Sequence, residues 1–135
     1  MDTSCYWLIY NEVDWVKAQD GCLSLYPNAH LASSGSESEN DFILSLRPSN
    51  GEPYYFWLGG SDFKEEGHWV WSDGTPFGYT NWGDNEGSHG PGQNCIAMET
   101  HTPSTSIPRG KWHDLGCFDS HPFVCEIDLN LSRNI

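Results

Sequence analysis

The sequence predicts an α+β domain, two helices packed on small antiparallel sheets with a long loop in its second half. Three observations lead there. Two segments with helical spacing and capping residues precede Pro48, and short apolar or alternating runs between Gly, Pro, Asn and Asp clusters follow it. Five cysteines occur without a Cys-x-x-Cys pair, which argues for disulfides rather than a zinc ribbon or a thioredoxin-like motif. The 135 residues read as one domain, with a core from about Cys5 to Glu126, and an aromatic fraction of 14% supplies large side chains for a single core.

Cys5 to Tyr10 reads as an edge-like first strand. Asn11 is the expected cap of a helix running to about Leu25, with Trp15, Ala18, Cys22 and Leu25 recurring on one buried face and Pro27 ending it. A second helix is expected from Ser36, with Glu39 completing a reciprocal cap. It should bury Phe42, Ile43 and Leu46 before Pro48. Strands are expected at Tyr54 to Leu58, His68 to Trp71, Cys95 to Met98, Lys111 to His113 and Phe123 to Glu126. Between them, Asp73 to Asn94 is a long glycine-rich segment, and such a loop inside a small domain is commonly functional. Glu99 to Gly110, rich in Thr, Ser and Pro, links two hairpin strands and suggests no chemistry.

With 19 Asp and Glu against 6 Lys and Arg, the formal charge is −13, which repels nucleic acid and anionic membranes and favours cations. No apolar stretch approaches the roughly 20 residues of a membrane span, and no basic-then-apolar leader is visible. The expectation is a secreted chain in mature or trimmed form, with no membrane insertion. An enzyme is not expected: Gly-x-Ser-x-Gly, a phosphate-cradling loop and His-Glu-x-x-His are all missing, and carboxylate pairs carry no weight in so acidic a chain.

The segment Trp112-His-Asp-Leu-Gly-Cys-Phe-Asp-Ser-His-Pro-Phe-Val-Cys125, taken with Cys22, Cys95, Phe56-Trp57-Leu58-Gly59-Gly60 and Trp69-Val70-Trp71, resembles the C-type lectin-like domain. The resemblance runs from Ser4-Cys5-Tyr6 to Cys125-Glu126. It implies two disulfides, Cys22–Cys125 and Cys95–Cys117, an oxidising compartment, and a binding face on the long loop. Cys5 is then left free or joining two chains, so that a homodimer through Cys5 is an expectation.

Sugar-binding members of that family hold calcium through hard oxygens, and the same ligands bond two vicinal hydroxyls of the sugar. Calcium takes six to eight oxygens at about 2.3 to 2.6 Å. The resemblance carries the first ligand group onto Glu86-Gly87-Ser88, or onto Asn85-Glu86-Gly87 when counted back from Cys95, and both registers lack the usual proline. The second group, normally acidic, is Gln93-Asn94, and the third, normally Trp-Asn-Asp, is Trp112-His113-Asp114. The implied calcium ligands are therefore Glu86, Gln93, Asn94 and Asp114, with Asp62 and Glu66 at a further metal position. Ser88, His89 and His113 join Glu86, Gln93, Asn94 and Asp114 as ligand-binding candidates, and imidazole suits a transition metal better than calcium. A zinc or copper site from His89, His113, Glu86 and Asp114 is the alternative metal reading, while Glu86, Asp62 and Glu66 as solvated loop acids is the bland one.

Trp57, Trp69, Trp71, Trp82 and Trp112 are expected mostly in the core, leaving Tyr79, His89 and His113 as platforms for a ligand. The leading expectation is a lectin for glycans or glycoproteins, with weak or atypical calcium dependence. The other is an interaction module for protein, mineral or ice. Asn130-Leu131-Ser132 is an acceptor sequon for a glycan.

Overall fold

The computed structural model describes residues 4–47, 55–83, 92–100 and 110–129. The elements run β1 (Ser4–Val13), α1 (Trp15–Leu25), β2 (His30–Leu31), α2 (Glu37–Leu44), β3 (Tyr55–Ser61), β4 (Val70–Trp71), β5 (Cys95–Glu99), β6 (Trp112–Leu115) and β7 (His121–Asp128). Their strands join one sheet in the order β1-β7-β3-β5-β6, with β2 on β7 and β4 on β3. The pairs are antiparallel apart from β3 and β7, which run parallel at Trp57 and Phe123. A single mixed sheet thus replaces the separate small sheets expected from isolated runs.

Alternation along the central strands explains why one sheet serves two cores, because successive side chains point to opposite faces. Trp57, Cys95, Ala97, Phe123 and Cys125 face one cluster, which α1 completes with Trp15, Ala18 and Cys22. Phe56, Leu58, Ile96, Met98 and Val124 face the other, joined by Trp71, Trp112 and Ile43 of α2. Gly60 sits where a Cβ would lie 2.2 Å from Ile96 Cδ1, so only glycine lets β3 pass that side chain.

The helix starts differ from the sequence reading at one point. Asn11 lies within β1, and Asp14 caps α1 instead, its carboxylate accepting from Lys17 N–H at 2.9 Å. The strand outcompetes the earlier cap because β1 pairs with β7 as far as Val13 and His121. Leu25 is 45% exposed, since α1 ends there and Tyr26 is already extended ahead of Pro27. Ser36 caps α2 as expected, accepting from Glu39 N–H at 3.1 Å, while the Glu39 carboxylate reaches back to Gly35 N–H at 2.7 Å. That helix stops at Leu44, well before Pro48. It buries Ile43 and Asn40, whereas Phe42 remains exposed against Tyr6 with ring centroids 5.2 Å apart.

Two disulfides link Cys22 to Cys125 and Cys95 to Cys117, and Cys5 is a free, exposed thiol. No helix among the described residues is long and apolar enough to cross a membrane.

Candidate functional site

The long loop leaves the sheet after β4 and returns at Asn94, beside the end of β3. There the main chain is closed by Asp62 N–H donating to the Asn94 carbonyl at 3.1 Å. The side chains repeat the link. Asp62 is buried, and one carboxylate oxygen accepts from the Asn94 amide at 2.7 Å while the other accepts from Gly67 N–H at 2.8 Å. The same Asn94 amide donates to Glu66 at 2.9 Å, and its carbonyl accepts from Gly92 N–H at 3.2 Å. Ionised carboxylates only accept, so the group facing both of them must be the NH2. Asp62, Glu66 and Asn94, which the family resemblance assigned to metal positions, therefore meet here with a donor at their centre.

Trp112 and Asp114 occupy alternate positions of β6 and are both buried, while His113 points to the opposite face. Its Nε2 lies 2.7 Å from Glu99 on β5, and its ring stands edge-on to Tyr55 at 5.4 Å. Neighbouring positions in the chain thus place His113 and Asp114 on different faces of the sheet. Tyr79 packs edge-on to Trp112 at 5.9 Å, and Trp82 does so at 5.7 Å. Trp57, Trp71 and Trp112 are core residues, with Trp69 and Trp82 partly covered and 5.0 Å apart.

Gln93, like Asn94, is partly buried just before β5. Glu86, Ser88 and His89 lie outside the described residues, as does the sequon at Asn130. Among the described residues, no three His, Cys, Asp or Glu side chains converge on a point that could hold a metal. At the Asp62–Glu66 position the donor set does not fit calcium. A cation needs oxygens aimed at it, and here the central group is an amide N–H already shared between both carboxylates.

Two polar centres escaped the sequence reading. Asn40 on α2 accepts from Trp112 Nε1 at 2.8 Å and donates to the Gly110 carbonyl at 3.1 Å, so a buried amide holds β6 against the helix. Its only sequence signal is an Asn three residues before Ile43 on the same helix face. On β7, Glu126 accepts from Ser4 Oγ at 2.7 Å and Ser33 N–H at 3.1 Å, and Ser33 Oγ in turn donates to Asp73 at 2.7 Å. Burial pushes the Glu126 carboxyl above its ordinary value of 4.5, against the two hydrogen bonds, and the charges of Asp73 and Glu39 add to the rise. Tyr6 shares this neighbourhood with its hydroxyl buried and unpartnered. Burial first, then the charges of Glu126 and Glu39, raise it above the ordinary phenol value. A charged residue closing the apolar run Phe123-Val124-Cys125 was the available signal.

Comparison with known proteins places this geometry. The Lectin C-type domain profile matches residues 11–127. A lectin from Pleurodeles waltl is 38% identical over 125 residues, covering 91% of this chain and 69% of the relative. Among solved structures, the cow CD23 C-type carbohydrate-recognition domain, crystallised in the presence of GlcNAc2Man3 oligosaccharide, superposes with a TM-score of 0.78 at 29% identity. That superposition covers 93% of this chain and 88% of the other. A calcium-independent type II antifreeze protein superposes with a TM-score of 0.79 at 27% identity, covering 93% and 87%.

Proposed function

Because the chain belongs to the C-type lectin family, we propose that it is a secreted, non-catalytic carbohydrate-binding protein that recognises glycans through its long-loop face with weak or atypical dependence on calcium. The observation that carries this reading is the Asp62–Asn94–Glu66 junction, which fastens the returning end of the loop without a metal. The ligand group is Glu86, Ser88, His89, Gln93 and Asp114, and Tyr79 precedes them in sequence on the same loop. Calcium, when bound at Glu86, Gln93 and Asp114, would supply coordination for two sugar hydroxyls. The chain's own contribution is to hold Asp114 rigidly on β6, between the β5 pairing at Ile96 and the buried Trp112. His113, committed to Glu99, contributes to binding by positioning that strand rather than by touching a sugar.

A glycan array run with calcium and with chelator tests the reading. Binding that persists in part under chelator, and that falls when Asp114 is replaced by Ala, supports it. An absence of glycan binding in both conditions would favour the second reading, an interaction module for protein, mineral or ice. The likeness to a calcium-independent antifreeze protein and the missing proline at Gly87 speak for that alternative.

A further inference from the structure

We infer that the Asn94 side chain is a built-in substitute for a cation, so that the junction of the long loop with β3 is complete without metal and closed to it. Two carboxylates facing one point ordinarily repel, and an ion between them is the usual remedy. Here the two hydrogens of one NH2 serve both carboxylates, at 2.7 Å to Asp62 and 2.9 Å to Glu66. The rotation that would turn the Asn94 carbonyl inward is opposed from behind, because that oxygen accepts from Gly92 N–H. Asp62 is buried and each of its oxygens already accepts a hydrogen bond, one from Asn94 and one from Gly67 N–H, which hold the carboxylate turned toward the amide. The backbone bond from Asp62 to Asn94 fixes the spacing of the two segments, and the adjacent Cys95–Cys117 bridge anchors the strand that carries the amide. An amide cannot dissociate, so the junction keeps its shape at any calcium concentration. The inference concerns this junction alone and stands whether or not the face binds a sugar.

The test compares wild type with Glu66→Gln and Asn94→Asp by calcium titration calorimetry and by thermal unfolding in calcium and in EDTA. Glu66 is exposed, so its substitution leaves the fold intact. Calcium binding by Glu66→Gln should equal that of wild type, since no ion sits at the pair. Asn94→Asp puts a third carboxylate where the NH2 was. It should unfold at a lower temperature in EDTA and recover by about 5 °C or more in millimolar calcium. A calcium affinity at least tenfold weaker in Glu66→Gln than in wild type would overturn the inference, because an ion would then occupy the pair despite the amide. An Asn94→Asp protein that folds but ignores calcium would overturn it as well. Should that variant not fold, the comparison of wild type with Glu66→Gln decides by itself.

Discussion

The two faces of the sheet are held together by different chemistry. On the α1 side all four bridged cysteines lie in the core cluster with Trp15, Trp57 and Phe123, so covalent links fasten helix to sheet and β5 to the turn after β6. The opposite cluster contains no cysteine. It is packed from Phe56, Trp71 and Trp112, with Phe77, Tyr79 and Trp82 of the long loop laid against it, and Asn40 supplies its buried hydrogen bonds. The loop that carries the proposed ligand face is therefore fastened by packing and hydrogen bonds, while the scaffold behind it is stapled. A binding loop fixed this way can be loosened by single substitutions that leave the scaffold folded.

Removing the staples should have the largest effect. Replacing Cys22 and Cys125 together opens a closure of 103 residues and should cost about 4 to 5 kcal/mol, and replacing Cys95 and Cys117 about 3 kcal/mol, read by denaturant unfolding. On the aromatic face, Asn40→Leu strands the buried Trp112 N–H, while the Gly110 carbonyl keeps the bond it accepts from Asn81 at 2.9 Å. It should cost about 1 to 3 kcal/mol and reduce glycan binding more than an equally destabilising change in α1. Equal losses of binding from the two faces would break the comparison.

Which of these features the sequence announces follows from how local each is. The Ser36 cap, the two-residue alternation of β3, β5 and β7 and the buried stripe Trp15, Ala18 and Cys22 depend on near neighbours, and the expectations there agree with the structure. The pair His30–Leu31 is too short to leave a periodic signal, and Asn11 lost its capping role to a strand pairing made over a hundred residues away. At the candidate site, the family resemblance pointed to Asp62, Glu66 and Asn94. It could not tell whether the amide presents oxygen or nitrogen, because that depends on Gly92.

A smaller effect separates the polar centre on β7 from both faces. The Glu126 carboxyl is raised in the folded protein, so the proton is held more tightly there than in the unfolded chain. The stability this gives is complete below the ordinary value of 4.5 and is lost as pH rises through the higher folded value. Thermal unfolding from pH 4 to pH 8 should therefore show wild type losing stability relative to Glu126→Gln as pH rises. Parallel curves would mean that the buried carboxyl is not strained by its charge. The smallest effect is expected at Cys5, where Ser in place of an exposed thiol should change stability by less than about 0.5 kcal/mol. If Cys5 joins two chains, the same substitution converts a dimer band to monomer on non-reducing electrophoresis.

The pairing of β1 with β7 has a mechanical consequence. Ser4 lies opposite Asp128, so a tether pulling on both ends of the described fold loads their ladder as a zipper, one pair at a time, rather than in shear. Peeling proceeds from Ser4 and Asp128 through Tyr6 and Glu126 and meets the Cys22–Cys125 bridge one pair later, at Trp7 and Cys125. Beyond that point the N-terminal end still peels the rest of β1 from β7 and then pulls on α1, but at Cys22 the load crosses to Cys125 through sulfur, so the segment between the two cysteines, with the ligand loop inside it, cannot be drawn out. A domain of this design can be tugged by its ends without its ligand loop being pulled out as extended chain.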